Sequence, residues 1–325
     1  MDKKDKIMLY ELSKNSRATY SQLAKATHTS QETVRYRVNR LTREGIIKKF
    51  MILTNMKLLG FSIYQIFFKL QNVREIDKED IVKKLVNNDN VAWVANFEGN
   101  YDLGCIVVVR DQIELQKIVE DIYQKFNNKI MNKTISLLLE GKFFPRDYLL
   151  YQKRPSSKVP SYSDAPKKVE LDGVDKKICL VLANNARLSL VEIGQKLNMS
   201  ADAIALRLRK LNNSGFITGY TIDLNQQKLN QIHYKILLHL NDLSENKINS
   251  LSSFIHNNIK VTAVMKTLAS WDYEIDLEVE NPFQLKQFTM ELTTQFSDLV
   301  RNYETLQIID MPKFSFYLSG FNKQN

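Results

Sequence analysis

Residues 30–47 read SQETVRYRVNRLTREGII, and residues 200–217 read SADAIALRLRKLNNSGFI. Ser30 falls on Ser200, Arg37 on Arg207, Leu41 on Leu211, Gly45 on Gly215 and Ile47 on Ile217, a constant offset of 170. Working outward, the same offset relates Asn15 and Arg17 to Asn185 and Arg187. It also relates Leu70 to Leu240, Tyr101-Asp102 to Trp271-Asp272, and Phe126 to Phe296. So many landmarks in one register describe a tandem duplication with copies of about 145 residues.

Each copy opens with helical spacing and then punctuation. Thr19-Tyr-Ser-Gln22 and Ser189-Leu-Val-Glu192 fit the capping box that starts a helix. Ser30 and Ser200 are N-cap residues for the next helix, and Gly45 and Gly215 suit the left-handed position that ends it. Three helices with a tight turn between the second and third predict a winged helix-turn-helix, followed by short strands IIKKFMI and FITGYTI.

Beyond each helix-turn-helix the pattern predicts βαββαβ. In the first copy the elements are strand 63–70, helix 77–88, strands 91–98 and 101–109, helix 111–127 and strand 130–141. In the second they are 232–241, 245–257, 259–268, 271–280, 282–296 and 301–316. That order is ferredoxin-like, so the expected class is α+β. Two helices cover one sheet face. The other, expected to carry Ile66, Phe68, Val107 and Val109, needs a partner to leave water. Expected domains are 1–60 and 170–230 for the helix-turn-helix units and 61–150 and 231–325 for the sheet units. Residues 151–169 join the copies, and KRPSSKVPSYSDAPKK within them holds three of six prolines, which reads as an extended, solvated linker.

Charge is distributed unevenly. The chain has a net charge of +10, with Lys and Arg outnumbering Asp and Glu 13 to 5 over residues 1–60 and 10 to 6 over 167–230. The sheet units carry 12 against 13 and 8 against 11, so the excess surrounds the repeated helix and favours a polyanionic partner. No apolar run approaches the roughly 18 residues of a membrane span, and the N-terminus lacks a signal-peptide core. A cytoplasmic protein without a membrane partner is expected. Cys105 and Cys179 lie in apolar contexts, and no metal site, cofactor or catalytic constellation is expected from the four histidines.

The signature helix (Ser30, Thr33-Val34, Arg37-Val38, Leu41, Gly45-Ile46-Ile47) and the segment GNYDL at 99–103 resemble the Lrp/AsnC (leucine-responsive regulatory protein) family of transcription regulators. The resemblance covers both copies. It implies double-stranded DNA as partner, sensor sheets that pair, and a small effector such as an amino acid near Gly99, Asn100, Tyr101 and Asp102. The same turn also suits a plain β-hairpin connection. Paired sensors imply an internal pseudo-dimer and leave room for further homo-oligomers.

A charged helix face is commonly nothing more than solvated surface. Here it belongs to the third helix of a helix-turn-helix, whose N-terminal residues enter the major groove. Gln31, Arg35, Tyr36 and Asn39 are the base-reading candidates, and Arg40 and Arg43 the phosphate candidates. Arg37 is a further DNA candidate, or else structural through Glu44. In the second copy Ala205 and Leu206 replace Arg35 and Tyr36, leaving Arg207, Arg209 and Lys210 as charge and a module that leans on phosphates. The competing class is an enzyme, since tandem siroheme decarboxylases have a similar architecture and length. That family carries a His-Asn-Tyr-type segment before the hairpin. The matching strands here, VAWVANF and VTAVMKT, hold no histidine.

Overall fold

The computed structural model describes residues 1–155, 158–164, 168–241 and 243–322. Parts of the expected linker, 156–157 and 165–167, lie outside them. The first helix-turn-helix comprises α1 (Lys3–Lys14), α2 (Tyr20–Thr27) and α3 (Gln31–Arg43); the second comprises α6 (Gly173–Asn184), α7 (Leu190–Leu197) and α8 (Ala201–Asn213). The expected caps form. Thr19 and Ser189 accept from the backbone N–H groups of Gln22 and Glu192, and Ser30 and Ser200 from those of Thr33 and Ala203. Gly45 and Gly215 take φ of 66° and 74°, the left-handed region that a Cβ disfavours.

The strand after each recognition helix pairs across the copies. β1 (Ile47–Thr54) runs antiparallel to β7 (Ile217–Leu224), making a two-stranded ribbon that carries both helix-turn-helix units. Packing is crossed as well, with α1 against β7 and α6 against β1. Two arginines lock the arrangement reciprocally. Arg17 donates to the carbonyls of Ala186 and Leu188, and Arg187 to those of Ser16 and Ala18, at 2.6–2.9 Å.

The first sheet unit contains β2 (Ser62–Leu70), α4 (Glu75–Val86), β3 (Val91–Glu98), β4 (Leu103–Val109), α5 (Gln112–Phe126) and β5 (Ile130–Phe143). After a two-residue β6 (Ser161–Tyr162), the second contains β8 (Ile232–Leu240), α9 (Glu245–Asn257), β9 (Val261–Leu268), β10 (Tyr273–Val279), α10 (Pro282–Gln295) and β11 (Val300–Phe314). Each unit is a four-stranded antiparallel sheet with a long final strand. β5 continues past its own sheet to pair with β9, and β11 likewise pairs with β3. The circuit β2-β4-β3-β11-β8-β10-β9-β5 returns to β2, so eight strands close into one barrel.

This corrects the expected sheet faces. Ile66, Phe68, Val107 and Val109 lie under α4 and α5, in a cluster with Ile81, Leu85, Ile118 and Ile122. The face that meets the other copy carries Phe67, Trp93, Ala95 and Phe97, packed on Leu237, Trp271, Leu306 and Ile308. Alternation marks no face here because β2 is apolar on both sides. The linker also departs from a solvated tether. Tyr162 is buried on β5, Arg154 is buried against Asp147 at 2.7 Å, and the Val169 N–H donates to the Leu58 carbonyl.

The reciprocal arginines generate a stability expectation. Arg17→Ala or Arg187→Ala leaves two partly buried carbonyls without a charged donor, at a cost of about 1.5–3 kcal/mol. Urea denaturation should give a similar loss for either variant, since the contacts are mirror images.

Candidate nucleic-acid interface and effector turn

Val34, Val38 and Leu41 are buried, which turns the remaining arc of α3 outward. Gln31, Arg35, Tyr36, Asn39 and Arg43 are exposed, Tyr36 by 63%. Among the described residues Arg35 and Arg43 have no carboxylate within 4 Å. Arg37 and Arg40 are held differently. Arg37 donates to Asp2 and Asp5 at 2.6 and 2.9 Å, and Arg40 donates to Asp5 at 2.6 Å. The suggested partner Glu44 lies 3.9 Å from Arg40 and is not the partner of Arg37. Asp2 and Asp5 form the capping box of α1, so one carboxylate cluster caps α1 and anchors α3 to it. Hydrogen bonding from the Asp5 N–H, then from Arg37, holds the Asp2 carboxyl below its ordinary value.

The second copy repeats the anchor with Arg207 on Asp172 and Asp175 at 2.6 and 2.8 Å, and with Lys210 on Asp175 at 3.1 Å. Its outward arc presents Leu206, 65% exposed, where the first has Tyr36, together with exposed Arg209. One face offers guanidinium, phenol and amide groups, and the other mainly charge.

The turn 99–102 sits on the seam between copies. Gly99 has φ of 137°, and a Cβ there would stand 3.0 Å from the Leu306 side chain and 3.1 Å from the Thr305 carbonyl. Asn100 donates to Glu304 at 2.7 Å, and the Tyr101 hydroxyl lies 2.9 Å from Thr134. Asp102 accepts from the Leu70 N–H at 2.7 Å and from Lys69 at 3.1 Å. Asp272 accepts from the Leu240 N–H in the same way, which accounts for an aspartate in both copies. The polar side chains of the turn are thus partnered within the chain.

Two family models match, a winged helix-turn-helix DNA-binding model over residues 1–48 and an AsnC-type helix-turn-helix domain over 171–212. An uncharacterized HTH-type transcriptional regulator of Pyrococcus abyssi is 30% identical over 39% of this chain and 86% of its own length. The HTH-type transcriptional regulator LrpA of Bacillus subtilis is 33% identical over 28% of this chain and 71% of its own. The chain belongs to the Lrp/AsnC family. Each of these Lrp/AsnC relatives corresponds to less than half of the chain, as a duplication requires. The crystal structure of the siroheme decarboxylase NirDL matches 99% of this chain and 96% of its own, with TM-score 0.62 and 13% identity. That is a likeness of fold.

A group of charged residues inside the barrel escaped sequence reading. β8 and β10 place His233, Lys235, Glu274, Asp276 and Glu278 where the first copy of this Lrp/AsnC chain has Ile63, Gln65, Gly104, Ile106 and Val108. Lys235 lies 3.1 Å from Glu274 and 2.7 Å from Asp276. Arg146 lies 3.3 Å from Glu278, which also accepts from the Tyr148 hydroxyl. Burial works against the Lys235 ammonium, but the carboxylates of Asp276 and Glu274 outweigh it and hold its pKa above the ordinary value. Burial pushes Glu274 up and His233 down, so His233 is neutral at pH 7. The available signal was EIDLEV, three acids at alternate positions of a strand whose twin reads GCIVVV.

Two outcomes are expected. Gly99→Ala should cost about 1–3 kcal/mol through backbone strain and crowding against β11, measured by denaturant unfolding. For His233 the unfolded imidazole titrates near 6.5 and the folded one below it. Its contribution is therefore present above pH 6.5 and lost as pH falls through the folded value. The slope is at most about 1.4 kcal/mol per pH unit. His233→Ile, which copies Ile63, should lack that component when unfolding is compared from pH 7.5 to 5.

Proposed function

We propose that the chain is a sequence-specific DNA-binding transcription regulator that presents two unlike recognition helices from one polypeptide. The carrying observation is the pair of exposed helix faces held on one β1–β7 ribbon, in the two segments that hold the positive charge. In this reading Gln31, Arg35, Tyr36 and Asn39 meet base edges, and Arg43 meets phosphate. Arg37 and Arg207 orient their helices, while Arg40, Arg209 and Lys210 lie where phosphates pass. The copies act as an internal pseudo-dimer in the cytoplasm, with assembly of several chains left open to it. Lrp/AsnC membership supports an effector such as an amino acid, approaching the turn Gly99–Asp102 from outside the barrel.

A homodimer presents equal helices to a palindrome, with half-sites about 34 Å apart. Unlike helices should select an asymmetric operator, one half well defined and the other loose. Selection from a random duplex pool reads this directly, and a perfect palindrome with equal halves would sink the pseudo-dimer. Arg35→Ala should relax one base position at a cost of about 1–3 kcal/mol, whereas Arg43→Ala should weaken all duplexes alike. Affinity should fall with salt at a slope near −0.9 per phosphate contacted, checked by titration across salt.

A second reading, a tandem decarboxylase, draws on the full-length fold likeness to NirDL. Against it stand the strands VAWVANF and VTAVMKT, which lack histidine. Anaerobic incubation with siroheme and analysis for released carbon dioxide separates the two.

A further inference from the structure

Between the barrel and the β1–β7 ribbon lies a cavity of about 110 Å³. Leu53, Thr54, Thr221 and Ile222 of the ribbon form its roof. Its walls are unlike. The first copy contributes Ile63, Ala92, Trp93, Ile106 and Val108, an apolar surface. The second contributes His233, Lys235 and Asp276, with Arg146 just past the end of β5. Tyr162 of the linker strand β6 lines it too.

The charged groups of this lining are already matched. Lys235 pairs with Asp276 at 2.7 Å, and Arg146 with Glu278 at 3.3 Å. Glu274, 3.1 Å from Lys235, is pushed by burial toward its protonated form. A guest of either sign would therefore bring a charge with no free counter-charge among the described lining residues. Uncompensated charge in such a place is costly.

What is left over is neutral. Thr54, Thr221, Thr262, Ser315 and Gln226 donate to protein acceptors. His233 is 8% exposed, and neither of its ring nitrogens makes a hydrogen bond. The Tyr162 hydroxyl, 5% exposed, and Nε of Arg146 are unpartnered too. Burial keeps the His233 imidazole uncharged, and burial with the carboxylates of Glu274 and Asp276 keeps the Tyr162 hydroxyl protonated. Buried polar atoms are ordinarily satisfied, so these point to something that fills the space beside them. Water alone suits only the polar end, since a buried water takes about two to four polar partners and apolar voids stay dry or take up organic molecules.

We propose that this cavity binds a small uncharged molecule with a hydroxyl end and an apolar body. The hydroxyl meets His233 and Tyr162, each able to give or take a hydrogen bond, and the body lies on the first-copy wall. A void of about 150 Å³ holds benzene, so this smaller one suits about five non-hydrogen atoms. The site differs from the turn 99–102 and needs only one chain. It goes beyond the regulator reading, because binding is measured without DNA.

The test uses the full chain and three probes of nearly equal shape: isobutanol, isobutylamine and isobutyrate. NMR titration should show saturable shifts of the Trp93 indole with isobutanol, at an affinity roughly tenfold or more above that of the amine or the carboxylate. Tyr162→Phe and His233→Ile each delete a hydrogen-bonding group, and each should weaken isobutanol binding several-fold while leaving the circular dichroism of the fold unchanged. Ala92→Leu and Ala263→Leu fill the cavity from the first-copy and second-copy sides, and each should abolish binding. The proposal is overturned if isobutanol does not bind saturably, or if either charged probe equals it. It is equally overturned if Tyr162→Phe and His233→Ile both leave its affinity unchanged, or if a folded leucine variant still binds it.

Discussion

Hydrogen bonding at strand edges governs this molecule. A four-stranded sheet of ferredoxin-like order exposes two edges, and an exposed edge recruits whatever strand is near. Here β5 and β11 are 14 and 15 residues long, more than their own sheets use. The surplus reaches across to β9 and β3, and all four edges are consumed at once. The helix-turn-helix units repeat the solution on a smaller scale through β1 and β7. Most of the rest is arranged around these seams: the aromatic cluster of Phe67, Trp93, Phe97 and Trp271, the glycine at 99, and the buried linker strand.

Closure also creates an interior. Once the sheets face each other, positions on their inner faces meet no solvent, and every polar group there must find a partner. Aromatic and aliphatic side chains from both copies meet there, and the second copy adds buried ion pairs where the first has mainly apolar side chains. The barrel is therefore polarised across its waist, while its outer shell of four helices, α4, α5, α9 and α10, remains nearly symmetric.

Much of this was legible in the sequence, for identifiable reasons. The helix-turn-helix units declared themselves because capping is local: Ser30, Ser200, Gly45 and Gly215 act on their immediate neighbours. The strand and helix order followed from periodicity. The inner face of the sheet did not, because strands buried on both sides carry no alternation, and Ile66 and Phe67 look alike until one of them touches a helix. Nor could the partners of Arg37 be read, since Asp2 and Asp5 are 35 and 32 residues away and Glu44 was nearer in the chain. Likewise Arg146 and Glu278 are 132 residues apart, and only the barrel joins them.

Joining the copies in one chain changes what substitution can do. In an assembly of identical subunits every residue appears twice about the axis. Glu274, Asp276 and Glu278 would become six carboxylates crowded into one small space, with the aliphatic wall lost. Tethering removes that constraint, since each position and its twin are separate codons. It also makes pairing intramolecular, so the halves meet at an effective concentration set by the linker and not by expression level. A symmetric pair must carry the same side chain at both equivalent positions. A fused pair need not, and its two halves are free to take up different trades.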